Sequence, residues 1–273
     1  MNLEIPRLRM FAGPNGSGKS TIKSVINEEL LGIYINPDEI EKEIKEYGFI
    51  AFSNYGFETN KDEVLDFFHN SALLKSADLL EEASYLKYSD DKLIFLNVSI
   101  NSYFASVCAD FIRQKLLEAR KSFTFETVMS SYDKIELLKL AKKFGYRNYL
   151  YYVATSDPVI NISRVKNRVS LEGHNVPEDK IISRYHRSLG YLKDAVKLTD
   201  RAYIFDNSSS QKTWICEITN GKDVDVKVDI VPKWVYIYLL DVKEKNHNVE
   251  EFYGTIKSPT NEIDECLSSS KSD

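Results

Sequence analysis

Apolar residues along the first three quarters of this chain fall in short runs, separated by polar stretches that favour helix. Leu8 to Ala12, Gly32 to Ile35, Ser122 to Glu126, Tyr146 to Thr155 and Arg201 to Phe205 are rich in aliphatic, aromatic and β-branched residues, and each opens into a turn or a polar segment. Runs of this length bounded by turn signals read as buried strands. Strands alternating with helices predict an α/β fold, a mostly parallel sheet between layers of helix.

Between Lys61 and Arg120 the pattern is mainly helical, Asp62 to Lys87 and then Ser102 to Lys121, with Leu93-Ile94-Phe95-Leu96 between them. Two readings stay open, a helical insertion that walls a cleft for a second substrate and ordinary crossover helices. A different pattern begins at Trp214. Trp214 to Thr219, then Asn220-Gly221, then Val224 to Val231 reads as a hairpin with an Asn-Gly turn. Trp234 to Leu240 is expected to pack against the body. After Lys257 the chain is poor in large apolar residues and is expected to be disordered. The expected organisation is therefore a main domain over 1–210, with a helical segment 61–121 and a helical lid 157–199. A β-rich appendage over 211–256 and a tail over 257–273 follow.

Composition narrows the function. The 273 residues, 43% hydrophobic, can bury a sizeable core. With 36 Lys and Arg against 41 Asp and Glu, the net charge of -5 gives no general footprint for nucleic acid, so none is expected as a partner. No apolar run reaches the length of a membrane span and no leader precedes Met10, so the expectation is a cytoplasmic protein with no membrane contact. Cys108, Cys216 and Cys266 are dispersed, and the four histidines form no zinc motif.

The first strand candidate feeds directly into Gly13-Pro14-Asn15-Gly16-Ser17-Gly18-Lys19-Ser20-Thr21. A strand, a GxxxxGKS octet and a helix form a P-loop, the phosphate cradle of nucleoside triphosphate enzymes. Gly13, Gly16 and Gly18 let successive N–H groups face the phosphates, Lys19 reaches the β- and γ-phosphates, and Ser20 supplies a hydroxyl to Mg²⁺. ATP and Mg²⁺ are the expected cofactors, and the fold is expected to be the three-layer P-loop NTPase sandwich. Ligands in such sheets sit beyond the carboxyl ends of the strands, which directs attention to the loops after Ile35, Phe125, Thr155 and Phe205.

Asn36-Pro37-Asp38 follows the second strand candidate, where Asp38 either accepts the proton of an attacking hydroxyl or caps the next helix. Phe125-Glu126-Thr127 ends another strand with an acid and a hydroxyl at the same edge, for substrate or for a plain strand-to-helix turn. Arg164 and Arg168 are four apart and share a helix face, in a basic segment with His174, Arg184 and Arg187 around a Gly173 to Pro177 turn. Such a pair either clamps a triphosphate under a lid or is solvated surface charge.

As an ordered set the octet, Asn36-Pro37-Asp38, Phe125-Glu126-Thr127, the Arg164 to Arg187 segment and Asp206-Asn207-Ser208 resemble the zeta-toxin-like P-loop kinases over roughly residues 5 to 210. The resemblance implies ATP- and Mg²⁺-dependent phosphorylation of a small polar metabolite, with the sugar of UDP-N-acetylglucosamine as the family's precedent and an antitoxin protein as a partner. It assigns Lys19 and Ser20 to nucleotide and metal, Asp38 to activating the acceptor hydroxyl, and Arg164 and Arg168 to the lid. Glu126 and Thr127 match the substrate-side pair more loosely, because the toxins proper carry a glycine-threonine pair in a longer motif there. Two other functions remain in play, an ATP-hydrolysing regulatory switch and a polynucleotide end kinase.

Overall fold

The computed structural model describes residues 5–23, 26–170 and 176–240. The fold is mixed α/β with mostly parallel strands, and the described residues divide into two compact units, one of those within 5–6 and 32–126, the other of those within 7–31 and 127–240. In chain order the second of these starts with β1 (Arg7–Ala12) and the short helices α1 (Ser20–Lys23) and α2 (Glu28–Leu31). The chain then builds the other unit: β2 (Ile33–Ile35), α3 (Pro37–Tyr47), β3 (Phe49–Ala51), α4 (Lys61–His69), α5 (Ala72–Ser76), α6 (Leu80–Ala83), β4 (Lys87–Ser89), β5 (Lys92–Ile94), α7 (Ser102–Glu118) and β6 (Phe123–Thr127). It returns through α8 (Asp133–Lys143), β7 (Arg147–Ala154), α9 (Pro158–Val169), α10 (Glu178–Gly190), α11 (Leu192–Val196), β8 (Arg201–Asp206), β9 (Thr213–Thr219), β10 (Asp223–Val226) and α12 (Lys233–Val235).

In the P-loop unit the strands run β10-β9-β8-β7-β1. β1 pairs with β7 in parallel, Leu8 opposite Asn148, and β7 pairs with β8 in parallel, Ala154 opposite Asp206. Leu8, Met10, Phe11, Leu150, Tyr152, Val153, Ala202, Tyr203 and Ile204 are all completely buried. Strands inaccessible on both faces need apolar residues at consecutive positions, which is why these runs lack strict alternation. Tyr151 stacks on Tyr203 with ring centroids 4.9 Å apart and meets the Phe11 ring edge-on. β9 continues the sheet antiparallel to β8, with an irregularity at Ile204/Phe205, and β10 folds back on β9. Asn220 and Gly221, at φ of 54° and 69°, make the tight turn between them. Trp234, Val235 and Leu239 are buried, as expected of that aromatic run. The expected disorder of 257–273 concerns residues outside those described.

In the other unit β2 and β6 pair in parallel, Ile33 opposite Phe123. α3 starts where Asn36 Oδ1 accepts the N–H of Asp38 at 2.9 Å and Pro37 takes the first turn, and it ends at Gly48 with φ of 77°. The expected long helix from Asp62 to Lys87 is instead three short ones, and Leu93 lies in a small antiparallel sheet of order β3-β5-β4. The breaks have local causes: Asn70 and Ser71 end α4 and cap α5, and Asp78 adopts φ of 58°. α7 matches expectation and lays Phe104, Cys108, Phe111 and Ile112 on a buried face, where Phe52, Phe57 and Phe67 gather round the Phe111 ring.

Asn148, at the start of β7, ties together the end of this unit opposite the Gly13 to Thr21 loop. Its buried amide donates to the carbonyls of Leu138 and Leu198 at 2.9 and 3.0 Å, while its backbone N–H donates to Asp200 Oδ2 at 2.8 Å. Truncation strips two carbonyls of their donor in a site closed to water. Asn148→Ala is expected to lower the unfolding free energy by about 2–3 kcal/mol, seen as a shifted urea midpoint at unchanged slope. An unshifted midpoint would show that water replaces the amide there.

Candidate functional site

The P-loop is held by side chains from α9 and from the turn after β8. Asn161, completely buried on α9, donates through Nδ2 to Asn15 O at 2.6 Å, and Thr155 at the end of β7 donates to its Oδ1. Asn207, just past β8, donates through Nδ2 to Ser17 O at 2.8 Å, and its own N–H donates to Ala154 O at 2.8 Å. These amides take up loop carbonyls, leaving the opposite faces of those peptides, where the N–H groups lie, for a ligand.

The glycines are required by this support. A Cβ on Gly13 would lie 2.0 Å from Val153 O, and one on Gly18, at φ of 92°, 2.3 Å from Asn207 Nδ2. The backbone is thus packed against the scaffold as closely as an absent side chain allows. Lys19 Nζ donates to the carbonyls of Gly13 and Pro14 at 2.9 and 3.1 Å, so the ammonium is folded across the mouth of the loop. Ser17 Oγ and Asn15 Oδ1 are buried without a hydrogen-bond partner among the described residues. A tight glycine cradle, a lysine resting on loop carbonyls and the orphaned Ser17 hydroxyl fit a polyphosphate; Ser20, exposed at the first position of α1, would present the hydroxyl for Mg²⁺.

α9 and α10 carry the basic segment. They share a small apolar core of Val165, Val176 and Ile181, with Ile162 and Val169 against it. Tyr185 on α10 donates to Thr155 O at 2.6 Å, docking that helix on the end of β7. Arg164 donates to Asn207 O at 2.7 Å and to Ser209 O at 3.2 Å, so its guanidinium braces the turn that supports the P-loop. Arg168 is exposed, one turn further along α9. Arg184 is half-buried and meets no hydrogen-bonding or charged partner among the described residues. His174 and Gly173, expected to shape the turn of the lid, lie outside the described residues. Asp206 accepts from Ser208 N at 2.8 Å and from Trp234 Nε1 at 2.6 Å, which makes it the anchor of its turn.

The other unit carries Asp38 and Glu126. The cap of α3 is Asn36, not Asp38, and the exposed Asp38 carboxylate has no partner among the described residues. The capping explanation for Asp38 is thereby removed. Glu126 Oε1 accepts from Tyr34 Oη at 2.5 Å. Burial, reinforced by the Glu126 charge, pushes the Tyr34 hydroxyl well above its ordinary pKa. Glu39 and Glu43, four apart on α3, add to the acidity: burial pushes the Glu43 carboxyl up, and burial together with the Glu43 charge pushes Tyr55 up. In the helical segment Phe67 packs against Phe111 and Tyr103 is exposed. Thr127 Oγ1 accepts from Met129 N at 3.0 Å, closing a local turn, while α8 starts only at Asp133.

Several of these residues were not singled out from sequence: Asn161, Tyr34, Glu39 and Glu43. In the sequence Asn207 stands out only as part of Asp206-Asn207-Ser208. Thr155 and Asn207, polar residues directly after buried strands, were the available signal.

Residues 96–217 match the family model "Zeta toxin", and the chain is zeta-toxin-like over that span. The match starts downstream of the P-loop, so the octet is independent of it. An uncharacterised protein of Haemophilus influenzae is 27% identical over 175 residues, 64% of this chain and 89% of that protein. Among solved structures, the complex of AvrRxo1-ORF1 with AvrRxo1-ORF2 and sulphate ions has a TM-score of 0.49 at 14% identity, covering 89% of this chain and 66% of that one. The same pair with ATP scores 0.47 at 15% identity, covering 82% and 61%. A structure from the PezAT toxin-antitoxin system of Streptococcus pneumoniae scores 0.46 at 15% identity, covering 92% and 84%. The chain thus spans slightly under two thirds of the AvrRxo1-ORF1 chains it matches. Among the described residues no helix is long and apolar enough to cross a membrane.

The separation of cap from carboxylate can be measured. Asn36→Ala is expected to cost about 1 kcal/mol of stability through the lost cap. Asp38→Asn should cost less, since only its interaction with the helix dipole changes. Equal losses in thermal or urea unfolding would return Asp38 to a structural role.

Proposed function

We propose that this protein transfers the γ-phosphoryl group of ATP to a hydroxyl of a small polar metabolite. The observation that carries the reading is the P-loop itself: a complete octet on β1, its carbonyls clamped by Asn161 and Asn207, and a lysine lying across its mouth. ATP bound with Mg²⁺ supplies the activated phosphoryl group and a metal that offsets its charge. The N–H groups of Gly16 and Gly18, opposite the clamped carbonyls of Asn15 and Ser17, would hold the phosphates, Lys19 would exchange the Gly13 and Pro14 carbonyls for phosphate oxygens, and Ser20 would hold Mg²⁺. Asp38 takes the proton of the acceptor hydroxyl as the new O–P bond forms; the bond to the β-phosphate oxygen breaks, and ADP leaves. Glu126, oriented by Tyr34, and Thr127 hold the acceptor, Arg168 offsets charge on the transferring group, and Arg164 acts through the turn it braces at Asn207 and Ser209.

The zeta-toxin-like match supports kinase chemistry and makes UDP-N-acetylglucosamine the first acceptor to try. The same resemblance supports an antitoxin-like protein as partner. The buried free thiols of Cys108 and Cys216 suit a reducing, ATP-rich compartment, which we take to be the cytoplasm.

Two measurements test the reading. In calorimetric titration with a non-hydrolysable ATP analogue, wild type should bind and Lys19→Ala should bind far more weakly. With γ-labelled ATP, Mg²⁺ and either UDP-N-acetylglucosamine or a fractionated metabolite extract, label should move to a small molecule, identified by its added phosphoryl mass. Asp38→Asn should slow that transfer roughly 10²- to 10⁴-fold while leaving nucleotide affinity nearly unchanged. Label appearing only as free phosphate would replace the kinase by an ATP-hydrolysing switch; label on an oligonucleotide end would make it a polynucleotide kinase.

A further inference from the structure

Lys212, in the turn between β8 and β9, stands in an unusual place for a cation. Its Nζ donates to Thr21 Oγ1 at 2.5 Å, and that hydroxyl donates onward to Gly18 O at 2.7 Å. The half-buried ammonium meets no carboxylate among the described residues. Burial alone, with no neighbouring charge contributing, pushes it down to about 8. Holding a lysine partly out of water with only a neutral hydroxyl opposite it is unfavourable, and a surface ion pair would be the ordinary remedy. The arrangement is explained if an anion completes it.

The surroundings are rigid. The turn is pinned at Asn207 by Ser17 O and Ala154 O, at Ser208 Oγ by Ser156 N at 2.8 Å, and at the carbonyls of Asn207 and Ser209 by Arg164. The two lysines therefore bracket the P-loop, Lys19 on the carbonyls of Gly13 and Pro14 where it opens and Lys212 on Thr21 where it closes. Lys19 serves the β- and γ-phosphates. We infer that Lys212 is a second nucleotide-binding cation, which contacts the α-phosphate of the bound nucleotide through Nζ and keeps Thr21 in place for the same group.

This rests on the P-loop reading above, and the test separates the two. Affinities of wild type, Lys212→Met, Lys212→Gln, Lys212→Arg and Lys19→Ala are measured for a non-hydrolysable ATP analogue, ADP and AMP by displacement of a fluorescent nucleotide. Lys212→Met is expected to weaken all three ligands alike, on the order of 10- to 100-fold, because all carry the α-phosphate. Lys19→Ala should weaken the ATP analogue and ADP but leave AMP near wild type. Lys212→Arg keeps the charge and should bind much closer to wild type than Lys212→Met does; Lys212→Gln, which removes the charge but stays polar at the surface, should lose affinity like the methionine variant and answers the question if that variant folds poorly. Wild-type affinity of Lys212→Met for every ligand, a loss confined to the ATP analogue, or an equal loss in the arginine variant would overturn the inference while leaving Lys19 and the P-loop reading intact. No nucleotide binding by wild type would overturn both.

Discussion

Everything at the nucleotide end depends on where the carbonyls of the P-loop go. A backbone that turns its N–H groups toward an anion must turn its carbonyls away, and each buried carbonyl then needs a donor. Asn161 supplies one to Asn15 and Asn207 one to Ser17. Both amides are themselves fixed, the first by Thr155 and the second through its backbone at Ala154. The loop is therefore set by the ends of β7 and β8 as much as by its own glycines. On the proposed reading such an arrangement would take up phosphate with little reorganisation, since the dipoles are already aligned.

Arg164 shows how such support merges with function. A guanidinium in a lid segment invites assignment to the γ-phosphate, yet here it spends donors on the carbonyls of Asn207 and Ser209. Loss of Arg164 would act first on the turn that steadies Ser17. Arg184 is half-buried without a partner among the described residues, and Arg168 sits exposed one turn along α9. The three arginines are chemically identical in the sequence and differ only in what the fold has already given them to bind.

That difference marks the limit of what the chain alone disclosed. The octet was legible because glycine, lysine and hydroxyl at fixed spacing have a single common physical reason. The parallel strands were legible because burial on both faces leaves unbroken apolar runs, as in Leu150 to Ala154. The long helix expected from Asp62 dissolved into short ones, since helical periodicity persists across breaks such as Asn70-Ser71 and Asp78, whose left-handed or capping geometry is local. Asp38 carried two explanations because the cap could not be told from its neighbour by spacing, and the structure gives the cap to Asn36. Asn161, Tyr34 and Lys212 were illegible because each acts on a partner far away in the chain, and nothing in the local pattern records such a pairing.

The tryptophans add a spectroscopic consequence. Trp214 and Trp234, the two in the chain, both lie in the unit that contains the P-loop; Trp234 holds Asp206 beside the supporting turn, and Trp214 lies under the Lys227 ammonium at 4.9 Å. Residues 32–126 contain none. Indole emission therefore watches one half of the molecule while far-ultraviolet dichroism watches both, and agreement of the two signals on denaturation would mean that the halves melt as one cooperative body.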